Sequence, residues 1–209
     1  MKLHDLLFPE LAIGRWGEIN LNEIAFDLVP LLLPIMAQPE NPFLDANYCD
    51  EWLKFIHKMK GLDYSEGGYL EDRSTVWDGH YHEEGSVWHL GVDFYVPALA
   101  DVHLPCDAKL VHCFVDPDQK GGWGGKLIFE RADGLYFILG HLHMVTRKVG
   151  QDFPKGAVVG RIAEAFCNGG WSPHLHVQCM TKLDPNVDGY GAIYDGIEKD
   201  FPNPLTIGW

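Results

Sequence analysis

"GGWSPHLHVQ" (169–178) joins a glycine turn to two closely spaced histidines. A Gly-Gly turn and a proline precede His174 and His176, and the run continues as a strand. In extended chain, residues i and i+2 face the same side. The two imidazoles therefore project together, their Cα atoms about 6–7 Å apart. Two rings so placed can touch one small site, and neutral imidazole is a common zinc ligand. A pair of surface histidines on an edge strand has the same spacing.

Upstream, "HLGVD" (89–93) places His89 and Asp93 four residues apart. On a straight strand that is about 13 Å, too far for both to reach one ion at about 2 Å. A bend at Gly91 would bring them together, since glycine permits unusual backbone angles. His89, Asp93 and one histidine of the 174/176 pair make two imidazoles and a carboxylate. Three protein ligands with a fourth position left open is the catalytic form of a zinc site. The plainer alternative is that Asp93 caps a turn. A third element, "YFILGHLHM" (136–144), ends an apolar strand with His141 and His143. His141 follows Gly140, where the strand would leave the core, and His143 reads as a rim residue.

Working outward, residues from about 86 onward alternate short β runs with turn residues. Strands are expected at "VDFYVP" (92–97), "KLVHCFV" (109–115), "KLIFER" (126–131), "LYFILGHL" (135–142), "AVVGRI" (157–162) and "HLHVQCM" (174–180). "DPDQKGGWGG", "RADG", "KVGQDFPKG" and "CNGGWSP" punctuate them. Such spacing suggests a β-barrel or sandwich. The turn-rich tail, 184–209, is expected to wrap the sheet. Residues 1–75 read differently. In "DANYCDEWLKFIHKMKG" (45–61), Trp52, Phe55, Ile56 and Met59 recur at helical spacing, with Asp45 as N-cap and Gly61 as terminator. A shorter helix is expected around 21–33, stopped by Pro34. The division expected is a helical subdomain over 1–75 and a β domain with a C-terminal extension over 76–209.

The chain has 209 residues, with 16 basic against 30 acidic side chains and a formal net charge of −14. That balance argues against nucleic acid and anionic membrane surfaces as partners. "IAFDLVPLLLPIM" (24–36) is broken by Asp27, Pro30 and Pro34 and is too short to span a bilayer. The N-terminus has no apolar run with a small-residue cleavage site, so no signal peptide is read there. Five cysteines without CxxC spacing do not form a disulfide framework. Reduced thiols in a cytoplasmic protein are expected.

"HLGVD", "GHLH" and "SPHLHVQ", in that order, resemble the motifs of the lysostaphin/LytM-type zinc endopeptidases. The segments 121–142 and "VGQDFPKGAVVGRI" (149–162) fit the same pattern, and the resemblance covers roughly 86–180. It looks most like the peptidase-like domain fused to class-III aminotransferases. The resemblance implies a mainly β, antiparallel barrel-sandwich (a duplicated hybrid motif), here with an N-terminal helical region. It implies Zn2+ held by His89, Asp93 and His176, with His174 and His141 catalytic. The implied activity is hydrolysis of a peptide or amide by zinc-activated water, the substrate being small or wall-derived. Which of His174 and His141 is the base stays open.

Two other readings compete. One is a non-catalytic metal-binding regulatory module, whose mark would be loss of a catalytic histidine. The other is a cupin-type metal oxygenase using His80 and His82 of "GHYHEEGSVWHLG" (79–91). A cupin wants a glutamate about four residues after the second histidine, whereas Glu83 and Glu84 follow at once.

Overall fold

A computed structural model describes residues 1–22, 42–77, 85–118 and 120–209. Residues 23–33 of the expected helix around 21–33, and His80 and His82, lie outside the described residues.

The glycine-punctuated runs form the expected strands. In chain order the described strands are β1 (Trp16–Glu18), β2 (Tyr64–Gly67), β3 (Trp88–His89), β4 (Val92–Tyr95), β5 (Asp101–His103), β6 (Ala108–Val115), β7 (Gly125–Glu130), β8 (Tyr136–Leu142), β9 (Asp152–Phe153), β10 (Val158–Arg161), β11 (Leu175–Met180) and β12 (Tyr190–Gly191). Eight of them make one sheet in the order β1-β2-β4-β11-β8-β7-β6-β9, while β10-β5 and β12-β3 are separate pairs. The large sheet is mixed: β1 runs parallel to β2, and the other neighbours are antiparallel. Two strands from the N-terminal third thus extend the sheet that carries the histidines.

Side-chain alternation places the core. Leu127 and Phe129 of β7, Phe137 and Leu139 of β8, and Leu175, Val177 and Cys179 of β11 share one buried face, which Leu3, Leu7 and Phe8 complete. The opposite face buries Ile128, Ile138 and Met180 under Val187 and Phe201 of the C-terminal segment. The tail is tied on by Thr181 N–H donating to the Asp200 carbonyl at 3.0 Å and by Tyr69 Oη–H donating to the Phe201 carbonyl at 2.6 Å. Burial on both faces explains the continuous apolar runs Leu127–Phe129 of β7 and Phe137–Leu139 of β8.

The helix Ala46–Lys60 begins and ends where its signals stand. Asp45 accepts from the backbone of Asn47 and Tyr48, and Gly61 adopts the left-handed conformation at φ 67°. Its buried residues are Cys49, Trp52, Leu53 and Ile56. Met59 is 64% exposed. The stripe is therefore rotated from the one expected: spacing alone fitted Met59, but the helix presents Cys49 and Leu53 to Phe43, Trp77, Tyr95 and Trp171. All five cysteines are free thiols. No described helix is long and apolar enough to cross a membrane.

Candidate metal and catalytic site

Strand β11 and the residue just before it supply His176 and His174. The strand's odd face packs into the core, which leaves His174, His176 and Gln178 together on the other. In register, His176 lies opposite Asp93 of β4 and Gly140 of β8. Asp93 and Gly140–His141 therefore flank His176 on its two neighbouring strands. His89 reaches the same point because the chain leaves β3 and re-enters as β4 across Leu90–Gly91. Gly91 does not take a left-handed angle. Its function is close approach, since a Cβ there would lie 2.5 Å from His176 Nε2 and 2.6 Å from the Val177 carbonyl oxygen.

Three donor atoms converge. His89 Nε2 lies 2.9 Å from His176 Nδ1. Asp93 Oδ1 is 3.1 Å from His176 Nδ1 and 3.3 Å from His89 Nε2. His89, Asp93 and His176 are each at most 2% exposed. The partners of the outer ring nitrogens assign the tautomers. His89 Nδ1–H donates to the Gly68 carbonyl at 2.8 Å. His176 Nε2–H donates to Gln178 Oε1 at 3.0 Å, and Gln178 is oriented by giving its own amide N–H to the Asp188 carbonyl. Both inner nitrogens are then lone pairs, and both face a carboxylate oxygen. Three acceptors turned on one another without a shared proton repel, and a cation at their centre removes the conflict. Tetrahedral ligands at about 2.1 Å from zinc would stand about 3.4 Å apart, close to the spacings here. The donor set fits zinc, and its outer hydrogen bonds are of the kind that orient metal ligands.

Asp93 is bound on its other side as well. Arg73, fully buried, donates from Nη1 to Asp93 Oδ2 at 2.8 Å, and Tyr95 Oη–H donates to the same oxygen at 3.3 Å. Burial alone would raise the Asp93 carboxyl, but the neighbouring imidazoles and Arg73 outweigh it and hold it well below the usual carboxylate range. Burial, helped by Arg73, lowers His89 to about 4, so the ring is neutral and ready to ligate.

The two remaining histidines stand beside the triangle. His174 Nε2 lies 3.8 Å from Asp93 Oδ1, and the His174 and His141 ring centroids are 4.3 Å apart. Their Nδ1–H groups donate to the Ser172 and Asn168 carbonyls at 2.7 and 2.9 Å. Asn168 builds that loop: its side chain accepts from Trp171 N–H and donates to the Trp171 carbonyl. One turn thus fixes both tautomers and leaves each Nε2 as a lone pair. Burial holds His141 well below the ordinary imidazole value, and His174 below it. His141 takes a left-handed backbone angle at φ 60°, a strained conformation for a residue with a Cβ. Its ring stacks on Trp123 with centroids 5.8 Å apart. Trp123 is held in turn under Lys126 Nζ, 4.7 Å from its ring. With Trp77, Trp171 and Tyr190, Trp123 lines the pocket that contains His89, Asp93, His141, His174 and His176.

All five expected site residues therefore share one cleft, and His143 lies apart from it. Sequence reading missed Arg73, Tyr95, Tyr190, Asn168 and Gln178. Gln178 carries a signal, being the next residue on the His174/His176 face. Arg73 lies 20 residues from its partner, in a loop without periodicity.

No protein-family model and no curated protein matches the sequence. Among solved structures, the chain is similar to the catalytic domain of the antimicrobial peptidase lysostaphin from Staphylococcus simulans, at 24% identity and a TM-score of 0.43, over 65% of this chain and 88% of that one. It is similar to a zinc-containing peptidase from Vibrio cholerae at 25% identity and a TM-score of 0.39, over 47% of this chain. The chain spans 31% of that structure's length. A third similarity is to a point mutant of the catalytic domain of the prophage-encoded protein EnpA from Enterococcus faecalis, at 19% identity and a TM-score of 0.46, over 64% and 93% of the two chains. Overlaps at these TM-scores carry no functional weight, which falls on the donor geometry.

Proposed function

We propose that the chain is a zinc-dependent peptidase or amide hydrolase of the lysostaphin/LytM kind. One observation carries the reading: the inner nitrogens of His89 and His176 and one oxygen of Asp93 converge at 2.9, 3.1 and 3.3 Å, while both outer nitrogens face carbonyl oxygens. Zinc held by these residues would supply Lewis-acid polarisation of a carbonyl and lower the pKa of a bound water toward ~7. The rest falls to the chain. His174 and His141, neutral and with Nε2 free of the backbone, accept a proton, hold it and return it to a leaving amine. When one is protonated, its N–H can stabilise negative charge on the attacked carbonyl oxygen. Trp77, Trp123 and Trp171 exclude water around that exchange. A purely metal-storing module would not need the two additional imidazoles, so their placement supports hydrolysis over the regulatory alternative.

The substrate proposed is a small peptide or amide. Trp171, one wall of the pocket, donates its indole N–H to the Phe43 carbonyl at 2.9 Å and packs in the same cluster as Trp52 and Ile56. The N-terminal region 1–75, expected as a helical subdomain, contributes β1 and β2 to the large sheet as well as the helix Ala46–Lys60; we propose that it is a fixed flank of the 76–209 β domain and not a segment to be removed. The mixed sheet with its β10-β5 pair is proposed to be an opened form of the barrel-sandwich. Free cysteines and the acidic balance support a cytoplasmic setting. Hydrolysis of a panel of free peptides and peptidoglycan fragments by zinc-loaded protein tests the proposal. Amine release that disappears with chelator supports it. Zinc binding with no cleavage across the panel would favour the non-catalytic module.

A further inference from the structure

The Asp93 carboxylate divides its two oxygens. Oδ1 faces His89, His176 and His174, while Oδ2 faces away and accepts from Arg73 Nη1 and Tyr95 Oη. Arg73 is 1% exposed and is held on three sides. Its Nε donates to Glu71 Oε2 at 2.9 Å, and its Nη1 also donates to Tyr190 Oη at 3.1 Å. Glu71 is fixed in turn by accepting from Asn22 N–H at 3.0 Å through Oε1.

The turn that carries Arg73 also holds the other upstream ligand. The Gly68 carbonyl accepts from His89 Nδ1–H, and His89 N–H donates to the Glu71 carbonyl at 3.0 Å. Gly68 has φ 96°, and a Cβ there would lie 2.3 Å from Arg73 Nη2 and 2.9 Å from His89 Nδ1. The guanidinium and the imidazole are therefore packed against the same bare backbone. Residues 68–73 form one clasp on two of the three donors.

We propose that Arg73 is a positioning residue that commits Asp93 to one-oxygen ligation. The proposal rests on the zinc reading above and deepens it. A carboxylate alone can ligate through one oxygen or both. With Oδ2 bound by a guanidinium that Glu71 holds in place, only Oδ1 is offered to the ion, and a coordination position stays open for substrate. Packing alone gives little reason for the arrangement, because a buried ion pair is often no more stable than apolar side chains of the same volume.

The test compares wild type with the paired variant Glu71→Gln/Arg73→Met, which removes both charges together and keeps their volume, and with Arg73→Lys. Zinc affinity is read by competition with a chromophoric chelator. Coordination is read from the visible bands of the Co(II)-substituted proteins, and apo stability from thermal unfolding. The paired variant is expected to bind zinc about 10–100-fold more weakly. Its Co(II) bands should lose intensity as the second Asp93 oxygen enters the coordination sphere. Arg73→Lys should recover part of the affinity, since an ammonium supplies the charge without the fork. Unchanged affinity and bands beside a lowered apo transition would overturn the proposal and leave Arg73 a structural residue. If the paired variant does not fold, Arg73→Lys decides on the same readouts, and wild-type affinity and bands overturn it. Wild type that takes up neither zinc nor cobalt overturns the hydrolase reading itself and this one with it.

Discussion

His89 Nε2, at the end of β3, and His176 Nδ1, on β11, stand 2.9 Å apart, each with its other nitrogen donating to a carbonyl oxygen. Two lone pairs at that distance beside a carboxylate make a poor protein interior and a good cation site.

Zinc should therefore stabilise the fold. A ligand that binds only the native state adds about 2.7 kcal/mol at one hundred times its Kd. We predict a rise in the thermal transition on adding zinc, reversal by a chelator, and no rise for His176→Ala or Asp93→Asn. A transition indifferent to zinc in wild type would contradict this.

His141→Ala and His174→Ala separate holding the ion from using it. Neither Nε2 belongs to the triangle, so both variants should retain zinc, while kcat falls by about 10²–10⁴. Loss of zinc from either variant would move that histidine into the ligand set.

Gly91→Ala tests the close approach. The added Cβ meets His176 Nε2 and the Val177 carbonyl oxygen, and the backbone oxygen cannot move alone. We predict a loss of about 1–3 kcal/mol in stability and zinc binding weakened by at least about tenfold, roughly 1.4 kcal/mol. Normal zinc binding in this variant would show that the β3–β4 corner yields without cost.

Asp45→Ala is the control away from the site. It removes the side chain that accepts from Asn47 and Tyr48, which should cost about 1 kcal/mol. For a chain of this size that lowers the transition by about 2–4 °C, with zinc affinity and turnover unchanged.

The parts legible in the sequence were those with short-range period. His174 and His176 share a face because a strand repeats every two residues, and the same rule would have added Gln178. Asp45 and Gly61 marked the helix ends correctly. Met59 did not follow, because helical spacing gives a stripe but not which edge of it meets the next layer. Strands β1 and β2 went unread because "WGE" and "YSEG" are short and lack β-branched residues. Arg73 was illegible for a different reason: its partners Asp93 and Tyr190 are brought to it only by the tertiary fold. Gly91 stands at the corner that the sequence marks, but the fold uses its missing side chain and not its backbone freedom.

The most direct test is elemental analysis of the purified protein, loaded with zinc and passed through a desalting column, beside the His89→Ala/His176→Ala variant. About one zinc per wild-type chain is expected, and none retained by the variant. Wild type that emerges without zinc, or a variant that keeps as much as wild type, would contradict the claim that His89, Asp93 and His176 hold the ion.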